Sequence, residues 1–192
     1  MKKEIITVFD IGKTNKKLLL FDTELNLVNE SEERFPLTTD EEGFECDDID
    51  LIEKWVMKSL QDIVKSDDFN LLAVNFATYG ASLVYIDGQG RRLTPVYNYL
   101  KPVDESIPGK LYERYGGRED FCRCTASPAL GMLNSGIQAL WLKNSRPDIF
   151  SKVRHILHLP QYFSFLLTGK ALSEHTSSGC HTAVWKFDRM NY

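Results

Sequence analysis

The alternation of apolar and polar residues changes period several times along the chain, and each change marks an element. Residues 5–9 (Ile-Ile-Thr-Val-Phe) form a β-branched run that stops at Asp10. Residues 17–21 (Lys-Leu-Leu-Leu-Phe) form a second run, and residues 25–35 supply a third strand. Between the first two lies a polar, glycine-containing turn, so the chain opens as a β-meander. Asp50 and Glu53 have the spacing of a capping box. After them Ile52, Trp55, Val56, Leu60 and Ile63 recur at helical spacing, which predicts an amphipathic helix lying on a sheet. Residues 71–76 read as a buried strand and residues 82–86 as another, followed by a turn at Asp87-Gly88-Gln89-Gly90.

The second half is more helical. Residues 111–115 predict a short helix stopped by Gly116 and Gly117. Residues 135–143 predict one with Ile137, Leu140 and Trp141 on a single face. Residues 155–157 form a short strand. Pro160 then opens a helix through Phe163, Leu166 and Leu167, and Gly169 closes it. No internal repeat, low-complexity tract or linker interrupts the series. The sum is one mixed α/β domain, and 192 residues suffice for one core but not for two comfortable ones.

Charge narrows the partners. With 23 Lys and Arg against 27 Asp and Glu, the net charge is -4 and no basic run occurs. Nucleic acid and anionic membrane surfaces are therefore excluded as expected partners. The basic start, Met1-Lys2-Lys3, precedes an apolar run too short for a signal peptide, and no stretch reaches transmembrane length. A cytoplasmic protein with Cys46, Cys122, Cys124 and Cys180 as free thiols is the expectation.

The segment with clear chemical content is Asp10-Ile11-Gly12-Lys13-Thr14-Asn15-Lys16-Lys17. Nucleotide phosphates need backbone N–H donors, a hydroxyl or amide, and a nearby cation. Gly12 allows close backbone approach, Thr14 and Asn15 are polar donors, and Lys13, Lys16 and Lys17 bring charge. Asp10, at the strand end, is placed to hold Mg²⁺ through water. A P-loop is excluded, since its first glycine would fall at Thr7 and a strand, not a helix, follows. An ordinary charged hairpin is the competing reading.

This strand–turn–strand resembles the first phosphate motif of the actin-like ATPase superfamily, and within it the FGGY carbohydrate kinases. Further segments carry the same resemblance in order. They are Phe76 with Ala77-Thr78-Tyr79-Gly80-Ala81-Ser82 and the apolar run to Asp87; Ser127-Pro128 and residues 134–142; Leu157-His158-Leu159-Pro160 with Leu167-Thr168-Gly169; and Ser173-Glu174-His175-Thr176-Ser177-Ser178. The resemblance covers nearly the whole chain.

It implies an N-terminal, ribonuclease-H-like half of a two-domain kinase that takes ATP and Mg²⁺ and phosphorylates a small sugar, closest to the branch acting on rhamnulose, fuculose and xylulose. By the match, Asp10, Gly12, Lys13, Thr14, Asn15 and Lys17 lie on the phosphate and metal side. Thr78, Tyr79, Gly80 and Asn98 lie on the sugar side. The catalytic Asp, the second phosphate motif and the adenosine site are expected beyond a point equivalent to Tyr192. The chain thus reads as an incomplete kinase, and alone is expected to transfer no phosphate.

Three positions depart from the family. Lys13 stands where Thr is frequent, Leu100 and Lys101 where relatives place an Arg or Asp on the sugar, and Gln161 where Asp is frequent. A catalytically silent sugar-binding or regulatory module is the alternative, and a chaperone- or filament-type ATPase a third reading. A cleft face without its companion half exposes apolar surface, which favours self-association, a homodimer included.

Other constellations read more plainly. His155, His158, His175 and His181 with Cys180 fit no standard zinc spacing. The first two flank a strand, while His175 and His181 are loop or sugar-facing residues. Cys122 and Cys124 lack the two-residue redox spacing. Asp47, Asp48 and Asp50 read as charge at a helix N-terminus. Trp55, Trp141 and Trp185 read as core, with sugar stacking open to Trp141.

Overall fold

The computed structural model describes residues 2–187 and 189–191. Its central sheet is the predicted meander and one later strand. β1 (Lys3–Ile11), β2 (Lys16–Phe21) and β3 (Leu27–Glu33) pair antiparallel in succession. Two short strands, β4 (Leu37–Thr39) and β5 (Glu45–Asp47), pair with each other. They lead into α1 (Ile49–Lys65), after which β6 (Phe69–Thr78) returns parallel to β1. The sheet order is β3-β2-β1-β6.

Burial along β1 has period two, as a strand with one covered face requires. Ile5, Thr7, Phe9 and Ile11 are fully buried, while Ile6 and Val8 are partly open and Asp10 is exposed. α1 lays Ile49, Ile52, Val56, Leu60 and Ile63 on the covered face. Aromatic rings bind the layers together. Phe9 meets Trp55 edge-on at 5.3 Å and stacks on Phe76 at 5.4 Å, and Phe76 stacks on Phe163 at 5.5 Å.

Beyond β6 the chain forms β7 (Leu83–Ile86), α2 (Ser106–Arg114), α3 (Arg118–Thr125), α4 (Ser135–Ser145) and the short α5 (Pro147–Phe150). β8 (His155–His158) pairs antiparallel with β7, and α6 (Leu159–Thr168) and α7 (His175–Ser178) complete the order. Phe163 of α6 reaches the covered face of the large sheet. The opposite face carries no helix among the described residues.

Three expectations are corrected. The cap of α1 is Asp48, whose carboxylate accepts from the Leu51 N–H at 3.1 Å, and not Asp50. Asp50 and Glu53 instead hold the Arg92 guanidinium, and the Tyr162 hydroxyl donates to Glu53 at 2.8 Å. Residues 71–76 belong to a longer strand that is not buried but lies at the sheet edge, with Leu72 half exposed. α3 was not foreseen, because Phe121 is its one large apolar residue and no periodic face exists. Contact of Phe121 with Tyr112 at 5.3 Å docks it.

The two sheet edges differ in charge. β3 carries Glu30, Glu32 and Glu33, whereas the ten residues of β6 carry none. Charged edges resist pairing with other chains and uncharged ones invite it.

Two outcomes follow. Phe9→Ala is expected to cost about 3–5 kcal/mol in urea denaturation, and a loss below about 1 kcal/mol would contradict this packing account. Concentration-dependent light scattering is expected to fall for Ala73→Lys on β6 and to stay unchanged for Ser31→Lys on β3. Equal effects from both would show that the β6 edge is not the adhesive one.

Candidate functional site

β1 and β6 are parallel neighbours, and Ile11 pairs with Thr78 as both strands end. The Gly12 turn and the Tyr79 segment therefore emerge side by side at the carboxyl end of the sheet, where open α/β sheets place ligands. The Tyr79 N–H donates to the Ile11 carbonyl at 3.0 Å, which fixes their spacing. Gly12 is required by its own turn, since a Cβ there would lie 2.8 Å from the Asn15 carbonyl oxygen.

The cations of the turn divide between the two sides of the sheet. Lys13 and Lys16 both donate to Asp47, Lys16 at 3.0 Å, and Lys16 also donates to the Lys13 carbonyl at 3.0 Å. Lys16 and Asp47 are almost fully buried, and Lys13 is partly open. Lys17 lies on the uncovered face, held by Glu30 at 2.6 Å and opposite Asp10 in the ladder. Thr14 is exposed, and the Asn15 side-chain carbonyl oxygen is buried without a partner among the described residues.

Asp47 is thus not helix N-terminal charge, as its sequence position suggested. It sits on β5, and the Tyr79 hydroxyl donates to it at 2.9 Å. Burial pushes its carboxyl up, but hydrogen bonds from Lys13 and Lys16 outweigh this and hold it below the usual carboxylate range. Burial, reinforced by the Asp47 charge, keeps the Tyr79 hydroxyl protonated and so a donor. Lys13 also lies 5.1 Å from the Tyr79 ring centre and 6.0 Å from that of Tyr99. One carboxylate therefore joins the predicted phosphate turn to the predicted sugar segment.

Past Tyr79 a cavity of about 290 Å³ opens. Its walls are residues 78–82, residues 158–160, and Thr176, Ser177, Cys180, His181 and Thr182. No Asp, Glu, Lys or Arg among the described residues lines it. Ala81 holds a left-handed φ of 55°, and its carbonyl accepts from the buried Gln138 amide, which also donates to the Met132 carbonyl at 2.6 Å. The strain of that turn is thereby held from behind.

Thr78, Tyr79 and Gly80 all line this cavity. Asn98 does not: it is buried, its amide donates to the Glu45 carbonyl at 2.9 Å, and its oxygen accepts from the Leu100 N–H at 3.0 Å. Lys101 is likewise buried, bound by Asp40 and by Glu42 at 3.0 Å. Trp141 packs edge-on against Tyr97 at 4.8 Å in the core, away from the cavity lining. Gln161 donates to Glu174 at 3.1 Å.

Asp47, Gln138 and Ser135 were missed by sequence reasoning. Their partners lie far along the chain, and no local spacing marks them.

The sheet order and the helices packed on it are those of a ribonuclease-H-like, actin-like fold. Solved structures agree. The chain overlays 97% of its length on a carbohydrate kinase from Novosphingobium aromaticivorans, at TM-score 0.83 and 26% identity, covering 38% of that chain. Plasmodium falciparum glycerol kinase shares the fold at TM-score 0.80 and 18% identity, over the whole of this chain and 39% of that one. The chain belongs to the FGGY family of carbohydrate kinases, whose N-terminal domain matches residues 5–184.

Similar proteins include the rhamnulokinase of Oceanobacillus iheyensis, 25% identical over 74% of this chain and 31% of the relative's length. That of Klebsiella pneumoniae (strain 342) is 29% identical over 71% of this chain and 28% of its own length. The chain spans about a third of the length of the relatives it matches.

Removing the charge of Asp47 leaves two ammonium groups without their counter-ion. Asp47→Asn is expected to cost about 3–5 kcal/mol at pH 7. Because the folded pKa is depressed, the contribution is present above the unfolded carboxyl pKa and is lost as pH falls through the folded one. Urea stability measured from pH 7 down to acid should show this component in the parent and not in the variant. Parallel curves for the two proteins would contradict the assignment.

Proposed function

We propose that the chain supplies the phosphate turn and the sugar cavity of a cytoplasmic, ATP-dependent carbohydrate kinase acting on a small ketose. The observation that carries this reading is Asp47, which ties Lys13 and Lys16 of the turn to Tyr79 at the cavity mouth. Nucleotide phosphates approach the Gly12 turn, where Thr14 is exposed and the buried Asn15 side-chain oxygen has no partner among the described residues. Lys13 is the partly exposed cation beside them. A sugar in the adjoining cavity would present a hydroxyl towards the same end of the sheet, so the work of these residues is positioning.

Magnesium fits the donor set. Asp10 is an exposed carboxylate outside every ion pair that holds the lysines, and the described residues contain no group of three acidic, His or Cys side chains that could itself hold a metal ion. A lone carboxylate suits an ion that keeps its water and takes the rest of its ligands from phosphate. Bound there with the nucleotide, Mg²⁺ would neutralise charge on the phosphate oxygens. The general base, the second phosphate motif and the adenosine site belong to the part of the protein outside these 192 residues. The relatives' greater length supports that division.

A panel of ketoses with coupled ADP detection tests the reading on the product of the whole natural reading frame and on the 192-residue chain. Sugar-dependent ADP from the former and none from the latter is expected. Hydrolysis indifferent to sugar would point to another actin-like ATPase. Sugar uptake without turnover by the whole product would favour the silent binding module.

A further inference from the structure

We infer that His158 and His181 are the side chains that read the hydroxyl groups of a neutral sugar in the cavity beside Tyr79. The inference rests on the kinase reading above and adds to it a substrate class and two specificity-determining residues.

The first observation is the charge of the cavity. No Asp, Glu, Lys or Arg among the described residues lines it, and the nearby cations are engaged elsewhere: Lys13 and Lys16 by Asp47, Lys101 by Asp40 and Glu42. A carboxylate-bearing sugar acid would enter without a counter-ion, at a desolvation penalty. A neutral polyol would not.

The second observation is which polar groups are still free. The Thr78 hydroxyl donates to the Tyr79 carbonyl at 2.9 Å, that of Tyr79 to Asp47 at 2.9 Å, and that of Thr182 to the Ser178 carbonyl at 2.7 Å. The hydroxyls of Thr176 and Ser177 are both bound to Glu174. The Ser82 hydroxyl donates to the Gly80 carbonyl at 3.4 Å, and its side chain also hydrogen-bonds that of Tyr79. The wall is rich in hydroxyls, yet nearly all their protons are committed inside the protein.

The imidazoles are not. His181 Nδ1 is buried with no hydrogen-bond partner among the described residues, an unfavourable state for a polar atom. His158 spends Nε2 on the Ser135 hydroxyl at 3.0 Å, which leaves its other ring nitrogen. Burial lowers the pKa of His158, so the ring is neutral at pH 7 and offers one donor and one acceptor.

Both rings are held in place. His158 ends β8 in register with Leu83, and the Leu159 N–H donates to the Ser82 carbonyl at 3.1 Å. The His181 carbonyl accepts from the Asn134 amide at 2.6 Å, and the Gly136 N–H donates to the Thr182 carbonyl at 2.8 Å. Only glycine permits that approach, since a Cβ at Gly136 would lie 2.8 Å from the Thr182 oxygen. His181 itself takes a left-handed φ of 39°, a conformation that persists only where surrounding contacts fix it.

The test titrates L-rhamnulose, L-fuculose, D-xylulose and D-gluconate into the 192-residue chain, read by calorimetry, with His158→Gln, His181→Asn and His155→Gln alongside. His155 is exposed and outside the cavity, so its variant should match the parent. The expected result is uptake of a neutral ketose, gluconate at least tenfold weaker, and a roughly tenfold loss in each of the other two variants, the scale of one hydrogen bond. A deoxy analogue lacking the contacted hydroxyl should bind the parent as weakly as the full sugar binds the variant, with no further loss in combination. Circular dichroism checks folding, and Ser135→Ala, which frees the His158 ring without removing it, serves if His158→Gln unfolds. Ketose uptake unaffected by the variants, or gluconate bound more tightly, overturns the inference and leaves the kinase reading standing. No uptake of any sugar also overturns the inference, while the ADP assay on the whole product decides the kinase reading separately.

Discussion

The arrangement depends on one carboxylate placed between two ammonium groups and a phenol. Asp47 is buried, and a buried carboxylate is tolerable only if paired and hydrogen-bonded. Lys13, Lys16 and Tyr79 satisfy both of its oxygens. Lys16, 2% exposed, has the same need and meets it through Asp47 and the Lys13 carbonyl. These requirements bind three segments distant in sequence: the first hairpin turn, the strand entering α1, and the end of β6. Two positive charges share one negative, so the cluster retains a surplus that suits an anion at the turn.

The sheet sets where that cluster lies. Its covered face is packed by α1 and α6 through Phe9, Phe76 and Phe163, which fixes β1 against β6 over their whole length. Parallel strands of matched register end together, and the two site segments begin where they end. The cavity is then closed by elements from the second half of the chain, β8 and the residues after α6. The Asn134 and Gly136 contacts press the segment around His181 against the start of α4. Polar contacts and core packing are thus separated: aromatic and aliphatic groups hold the layers, while polar groups gather at one end.

Much of the fold was legible because it is written locally. The runs at residues 5–9 and 17–21 and the spacing of Ile52, Val56, Leu60 and Ile63 each carry their own period, and the elements appear there with a few residues added at either end. The turn between β1 and β2 was legible as a turn for the same reason. Features fixed by distant partners were not. Asp48 and Asp50 are equally good caps by residue type, and only the backbone entering α1 selects Asp48. Asp47 looked like a third member of that acidic group, because nothing near it in sequence announces Lys13 or Lys16. Asn98 stands between Tyr97 and Tyr99, a polar-aromatic pattern that suggests a ligand-facing residue, but the Glu45 carbonyl claims its amide. Residues 71–76 carry the apolar composition of a central strand, and composition alone does not say whether a neighbour stands on the far side.

The central claim is that an anion site at the Gly12 turn and a sugar site past Tyr79 lie next to each other in this one chain. Backbone amide shifts in a ¹⁵N-labelled sample, titrated first with ADP and Mg²⁺ and then with a neutral ketose, measure this most directly. The account predicts that the nucleotide moves residues 11–17 and the ketose moves residues 78–82 and 176–182, with Tyr79 responding to both. Shifts confined to the apolar recess between α3 and α4, around Phe121 and Leu140, would contradict it.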